Sequence, residues 1–168
     1  FGLHVESSGC LFTTVLCYVA FRLLGLPVDD ERVARARAFI HAHGTALACA
    51  SWGKFTLALL NLYDYDGLQP LLPELWLVPA SAPFHPSRLW CHSRQVYLPM
   101  AHLYGMKARM PADELTHALR CELYDRPYES IHFAEYRDTV APGDVYVTTS
   151  SALRAVNFIT GLYERVHV

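Results

Sequence analysis

A chain of 168 residues, 52% hydrophobic and only 18% charged, is long enough to bury a core and more apolar than a usual soluble domain, where about a quarter of positions are charged. A formal net charge of -2 with no basic block offers nothing to displace phosphate counterions, which excludes nucleic acid as the partner. The apolar excess predicts surface that meets something other than water. No run reaches the roughly eighteen apolar residues of a membrane-crossing helix, so any contact with a bilayer would lie on or dip into one leaflet.

The start at Phe1-Gly2-Leu3-His4 carries no charged leader and no small-residue cleavage site. Ser7 and Ser8 are cap candidates for a helix over residues 10–24 that stops at Gly25, with Pro27 beyond. Leu11, Phe12, Val15, Leu16, Tyr18, Val19 and Leu23 leave that helix little polar face, and it is expected to be buried all round. Asp29 or Asp30 caps the next, over residues 31–43, where Val33, Ala36, Phe39 and Ile40 form one stripe against charged neighbours and Gly44 is the stop. Ser51 then opens another apolar helix, with Trp52, Phe55, Leu59 and Tyr63 on one side and Gly67 at its end.

Prolines 70, 73, 79, 83 and 86 forbid a long helix over residues 68–86 and predict an ordered, aromatic-pinned loop. Pro111, Asp113 and Glu114 start a charged helix, residues 124–149 are mixed with one short helix near 131–136, and a last helix covers residues 150–165. Strand-like alternation is sparse. Apolar helices alternating with charged ones predict helical hairpins in two concentric layers, an all-α fold of the α/α-toroid kind, with residues 1–168 as one domain. The five cysteines, Cys10, Cys17, Cys49, Cys91 and Cys121, sit in apolar contexts without metal-type pairing and read as reduced core residues.

The densest chemistry lies between Leu89 and Met100, where an indole, an imidazole, a guanidinium and a phenol share a few positions of an apolar segment. On a helix Trp90, Ser93 and Tyr97 share a face, but His92 lies about 200° around from Trp90. Both rings reach one cavity only if the helix begins near Cys91 and Trp90 swings in from the preceding irregular segment. Pro99 removes a backbone donor and is expected to kink the helix between Gln95 and Pro99. From residue types alone, a buried helix with satisfied polar side chains stays open as the plainer reading.

The segment Ser87-Arg88-Leu89-Trp90-Cys91-His92-Ser93-Arg94-Gln95-Val96-Tyr97-Leu98-Pro99-Met100 resembles the tryptophan-cysteine-histidine segment of the oxidosqualene cyclases, the family of lanosterol and cycloartenol synthases. Further matches run nearly collinearly: Gly2-Leu3-His4-Val5-Glu6-Ser7, Ser51-Trp52-Gly53-Lys54-Phe55, Pro73-Glu74-Leu75-Trp76-Leu77 and Tyr128-Glu129-Ser130-Ile131. The resemblance implies a fold of two α/α barrels, of which this chain is most of the one from the N-terminal half, inside a longer polypeptide. It implies the substrate 2,3-oxidosqualene and no metal or cofactor. It also implies monotopic attachment to a membrane surface: endoplasmic reticulum or lipid droplet in a eukaryote, inner membrane in a bacterium.

By the same resemblance, Trp52 and Trp90 line the cavity, where an aromatic face attracts a travelling carbocation without offering it a lone pair. His92 accepts the final proton together with a tyrosine of the other barrel, a task that suits a neutral imidazole. Ser93 and Tyr97 border the narrow part of the substrate channel, Ser93 standing where cysteine is usual. Arg94 is expected to pair with Glu74. Cys17 and Thr13 replace a common asparagine and glycine, and Phe1 stands where a repeat usually ends in tryptophan. The family's acid segment, Asp-Cys-Thr-Ala-Glu, does not occur here, so the chain alone is expected to be catalytically silent. Two alternatives stay open: a squalene-hopene-type cyclase acting on squalene, and a non-catalytic helical binding module. The apolar strip Leu153, Val156, Ile159 and Leu162 of the last helix could meet a membrane or the missing barrel.

Overall fold

In the computed structural model, which describes residues 1–82 and 85–167, every regular element is an α-helix or a short 3-10 turn. The all-α expectation therefore holds among the described residues. The chain forms two compact units, residues 1–68 with 109–148 and residues 69–108 with 149–168.

The first unit is built on α1 (Leu11–Leu23), α2 (Glu31–Ala42), α3 (Ser51–Leu59) and α5 (Glu114–Leu123). Its first helix is not capped by Ser7 or Ser8. Ser7 turns back on His4, and a residue far along the chain takes the capping role: the Asp144 carboxylate accepts from Leu11 N–H at 2.9 Å and Phe12 N–H at 2.7 Å. Two orphan donors and the positive end of the helix dipole suit a carboxylate better than a local hydroxyl. Nor is α1 buried all round, because Leu11, Thr14, Val15, Tyr18 and Val19 face inward while Ala20 and Leu23 are exposed. Thr14 is accommodated inside by donating to Cys10 O at 2.7 Å. Inward from this face, α1 packs on α2, α3 and α5.

Glycines end the first two helices as expected. Gly25 at φ 87° and Gly44 at φ 98° let Leu26 N–H reach Phe21 O at 3.0 Å and Thr45 N–H reach Ile40 O at 2.9 Å. Asp30, not Asp29, caps α2, and Val33, Ala36 and Ile40 are its buried stripe. The third helix departs from expectation at both ends. Ala50 rather than Ser51 is its cap residue, and it stops at Leu59, well before Gly67, because Asn61 takes the left-handed conformation at φ 59°. Two side-chain bonds hold Asn61 there: its amide donates to Met110 O at 2.9 Å, and its oxygen accepts from Arg120 at 2.7 Å. Tyr63 consequently leaves the helix and meets Phe133 edge-on, with ring centroids 4.7 Å apart. Asp113 and Thr116 form a reciprocal capping box on α5. The expected short helix near 131–136 is the 3-10 turn Phe133–Tyr136.

One ion pair joins α1 to α5 within this unit. Glu122 accepts from Tyr18 OH at 2.7 Å and from Arg22 at Nε and Nη2, each at 3.0 Å. Burial, followed by the adjoining Glu122, pushes the Tyr18 phenol well up and keeps it a donor.

The second unit contains α4 (Cys91–Gly105), α6 (Ser151–His167) and the 3-10 turns Pro73–Leu77 and Pro86–Arg88, consistent with the irregular, proline-rich segment expected there; Pro83 lies outside the described residues. Pro99 stands inside α4. The helix ends at Gly105, and just beyond it Lys107 at φ 47° allows Ala108 N–H to reach Leu103 O at 3.0 Å. Its buried residues are Ala101 and Tyr104, and it packs on the turn Pro73–Leu77. The Glu164 carboxylate ties α6 to α4 by accepting from Tyr104 OH and from Lys107 Nζ.

Two further expectations are corrected here. Arg94 does not pair with Glu74: its Nε is buried without a hydrogen-bond partner, while Glu74 acts on the Tyr97 phenol instead. Of the cysteines, Cys10 and Cys49 are buried, but Cys91 and Cys121 are exposed, because the first falls at the open first turn of α4 and the second on the outward side of α5.

Candidate active site

The start of α4 carries the chemistry. Its first helical residue is Cys91, and Trp90 is the cap residue, held extended at φ -55° and ψ 145°. This breaks the helical phase between positions 90 and 92, as the sequence requires if both rings are to meet. The indole and imidazole do meet, with centroids 4.4 Å apart and planes at 81°. An edge-to-face pair of this kind sets the relative orientation of the two rings. Trp90 is 70% exposed, and His92 and Ser93 are exposed beside it, so this chain presents them as an uncovered surface instead of a dry pocket.

One turn further, Tyr97 is half-buried against the turn Pro73–Leu77, its ring centroid 6.2 Å from that of Trp76 at 38°. Burial, then the nearby Glu74 carboxylate, raises the phenol above its ordinary range, so it stays protonated and can donate at neutral pH. Ser93 and Tyr97 lie four residues apart on the same helical side, but only Tyr97 is drawn into packing.

Trp52 belongs to the first unit, at the second position of α3, and is 58% exposed. Its outward direction follows from Lys54. Residues 52 and 54 lie about 200° apart on a helix, so anchoring one inside turns the other out. Lys54 is that anchor: its ammonium donates to Tyr136 O at 2.5 Å and Thr139 O at 2.8 Å, and lies 5.8 Å from the Tyr63 ring centroid. Burial brings its pKa down to about 8. From sequence, Lys54 and Trp76 figure only inside family-like segments, and neither of them, nor Asp144, is assigned a role. A lone lysine in an apolar helix was the one available signal; the partners of the other two are distant in the chain.

The family described as the squalene-hopene cyclase N-terminal domain matches residues 1–167. The lanosterol synthase of Pneumocystis carinii is 46% identical over 165 residues, which is 98% of this chain and 23% of that protein. The lanosterol synthase of Homo sapiens is 47% identical over 166 residues, 99% of this chain and 23% of that protein. The cycloartenol synthase of Dictyostelium discoideum is 44% identical over 166 residues, 99% of this chain and 24% of that protein. The chain thus spans less than a quarter of the length of these curated relatives, and its all-helical architecture agrees with the α/α toroid implied by the sequence. With a match from end to end and close to half of its positions shared with these synthases, the chain belongs to the squalene-hopene cyclase N-terminal domain family.

Proposed function

We propose that the chain is part of a 2,3-oxidosqualene cyclase, an intramolecular transferase that makes a sterol-type triterpene such as lanosterol or cycloartenol, and that residues 1–168 are one portion of its N-terminal-half barrel. The observation that carries the reading is the edge-to-face contact of Trp90 and His92 at the start of α4, in a chain close to lanosterol synthases throughout. Opening the epoxide requires an acid, which the Asp-Cys-Thr-Ala-Glu segment of a further domain would supply. The ring-closing cations would then migrate past Trp52 and Trp90, whose ring faces attract positive charge by about 2 kcal/mol or more once water is excluded. His92 would take up the proton released in forming the final double bond, its ring held at the indole edge. Ser93 and Tyr97 border the passage by which substrate enters.

The same reading places the enzyme on one leaflet of a membrane, in the endoplasmic reticulum or a lipid droplet of a eukaryote or the inner membrane of a bacterium. Leu153, Val156, Ile159 and Leu162 on α6 are between 50% and 64% exposed, an apolar strip of the right kind to enter a lipid interface, and no helix among the described residues is long and apolar enough to cross a membrane. An Ile159→Glu variant of the full-length protein is expected to lose detergent-dependent solubility; unchanged behaviour would assign the strip to packing on the other barrel.

The central test is product analysis of the full-length protein. Wild type fed 2,3-oxidosqualene should give a sterol-type tetracycle, and His92→Ala should shift products toward misdeprotonated or truncated rings while epoxide opening persists. An unchanged product profile removes His92 from the site. Hopene from squalene favours the squalene-hopene-type alternative, and no turnover of either leaves a helical binding module.

A further inference from the structure

We infer that Trp76 is a positioning residue for Tyr97: it fixes the ring that narrows the substrate passage, and so sets how readily the substrate polyene enters. The inference rests on the passage role proposed above for Tyr97. Its support lies within the second unit, where the turn Pro73–Leu77 holds α4 at two points.

The first point is the Trp76 ring itself, 6.2 Å from Tyr97 between centroids and tilted by 38°. A buried indole N–H ordinarily finds an acceptor. Trp76 Nε1 is buried and has none, so contact with neighbouring rings, not a hydrogen bond, determines where the indole lies. The second point is Gly105, two turns along the same helix. A Cβ there would stand 2.9 Å from Pro73 Cγ, closer than real contacts allow, so the absent side chain is what lets the turn sit against the helix. Gly105 is the last residue of α4, and its missing Cβ leaves room for this close approach.

Together these contacts determine which way Tyr97 can point. The phenol swings about only two side-chain bonds, and the indole stands beside it, so the space the indole fills is closed to the phenol. With that space emptied, the ring gains rotamers, and the passage loses a wall of defined width. A change of this kind acts on substrate entry more than on the cations formed afterwards.

The test is steady-state kinetics of the full-length protein with 2,3-oxidosqualene, using Trp76→Ala, Trp76→Phe, Gly105→Ala, Tyr97→Ala and the Trp76→Ala/Tyr97→Ala pair. Trp76→Ala should change KM by about two- to tenfold, the effect of losing one aromatic pair, with a smaller change in kcat and the same products. Trp76→Phe should recover most of that KM, and Gly105→Ala, which pushes the turn away while keeping both rings, should reproduce the change. In the Tyr97→Ala background, Trp76→Ala should alter KM no further. Additive effects on KM, or a Phe variant no better than Ala, would overturn the inference, and so would a loss confined to apparent kcat, because a merely structural tryptophan lowers the folded fraction and leaves KM unchanged. If Trp76→Ala does not fold, Trp76→Phe and Gly105→Ala decide the matter on the same KM readout. A wild type that turns over no oxidosqualene defeats the proposed function and this inference together; an active wild type with additive variants defeats the inference alone.

Discussion

Removing the Asp144 carboxylate should loosen α1 from the other end of the chain. The residue is 8% exposed and accepts two backbone N–H groups of the first turn, at 2.9 Å and 2.7 Å. Hydrogen bonds to a charged group contribute about 1.5–3 kcal/mol each, and losing an N-cap typically costs about 1 kcal/mol, so Asp144→Ala should cost ~2–4 kcal/mol once water partly re-solvates the freed donors. Asp144→Asn should cost about half, since one amide oxygen can serve only one of the two donors well. Amide hydrogen exchange of the α1 peptide in the full-length protein reads this directly. At about 1.4 kcal/mol per decade, the alanine variant should exchange roughly 30- to 1,000-fold faster over the first turns of α1. Ser7→Ala and Ser8→Ala, at the positions a sequence reader would choose as caps, should change exchange little. Acceleration below about threefold in Asp144→Ala, or an equal effect from the serines, would refute the long-range cap.

Asn61 separates backbone from side-chain effects: Asn61→Gly keeps the left-handed conformation at φ 59° and loses only the side-chain bonds to Met110 and Arg120, whereas Asn61→Ala loses those bonds and strains the backbone as well, so alanine should be less stable by a further ~1 kcal/mol in thermal melts. Glu122→Gln should leave the Arg22 guanidinium poorly compensated beside Tyr18 and cost about 2–3 kcal/mol in chemical denaturation; a loss under about 0.5 kcal/mol would mean that the pair is effectively solvated. The pH dependence has two opposing parts. Lys54 titrates at about 8 when buried against 10.5 for the free side chain, so between those values the unfolded chain binds more protons and the lysine's contribution to stability rises with pH. The Cys49 thiol, raised by burial to about 12, and the buried phenols of Tyr63 and Tyr124, also raised, act oppositely, their stabilisation being complete at neutral pH and lost as the medium turns alkaline beyond the unfolded-state pKa values. Net stability should fall above about pH 10, and the stability gap between wild type and Lys54→Met should grow by about 1–3 kcal/mol from pH 8 to 10.5. A gap independent of pH would mean that Lys54 is not held in a desolvated site.

Local sequence was sufficient for whatever depends on near neighbours. Helical period placed five of the long helices within a few residues of where they stand, glycines marked the ends of α1 and α2, and the 200° argument tied any meeting of the Trp90 and His92 rings to a helix start near Cys91, which is where α4 begins. Family resemblance pointed to the same rings. Tertiary structure alone decided the rest, because each remaining feature joins groups far apart in the chain. Asp144 caps α1 from 133 residues away, Arg120 and Met110 hold the asparagine that cuts α3 short, and the turn Pro73–Leu77 meets Tyr97 with its tryptophan and leaves Arg94 without the expected carboxylate. Periodicity reports which face of a helix is apolar. Which distant backbone donor or ring will come to lie against that face depends on the packing of the folded chain, and this information has no local signature in the sequence.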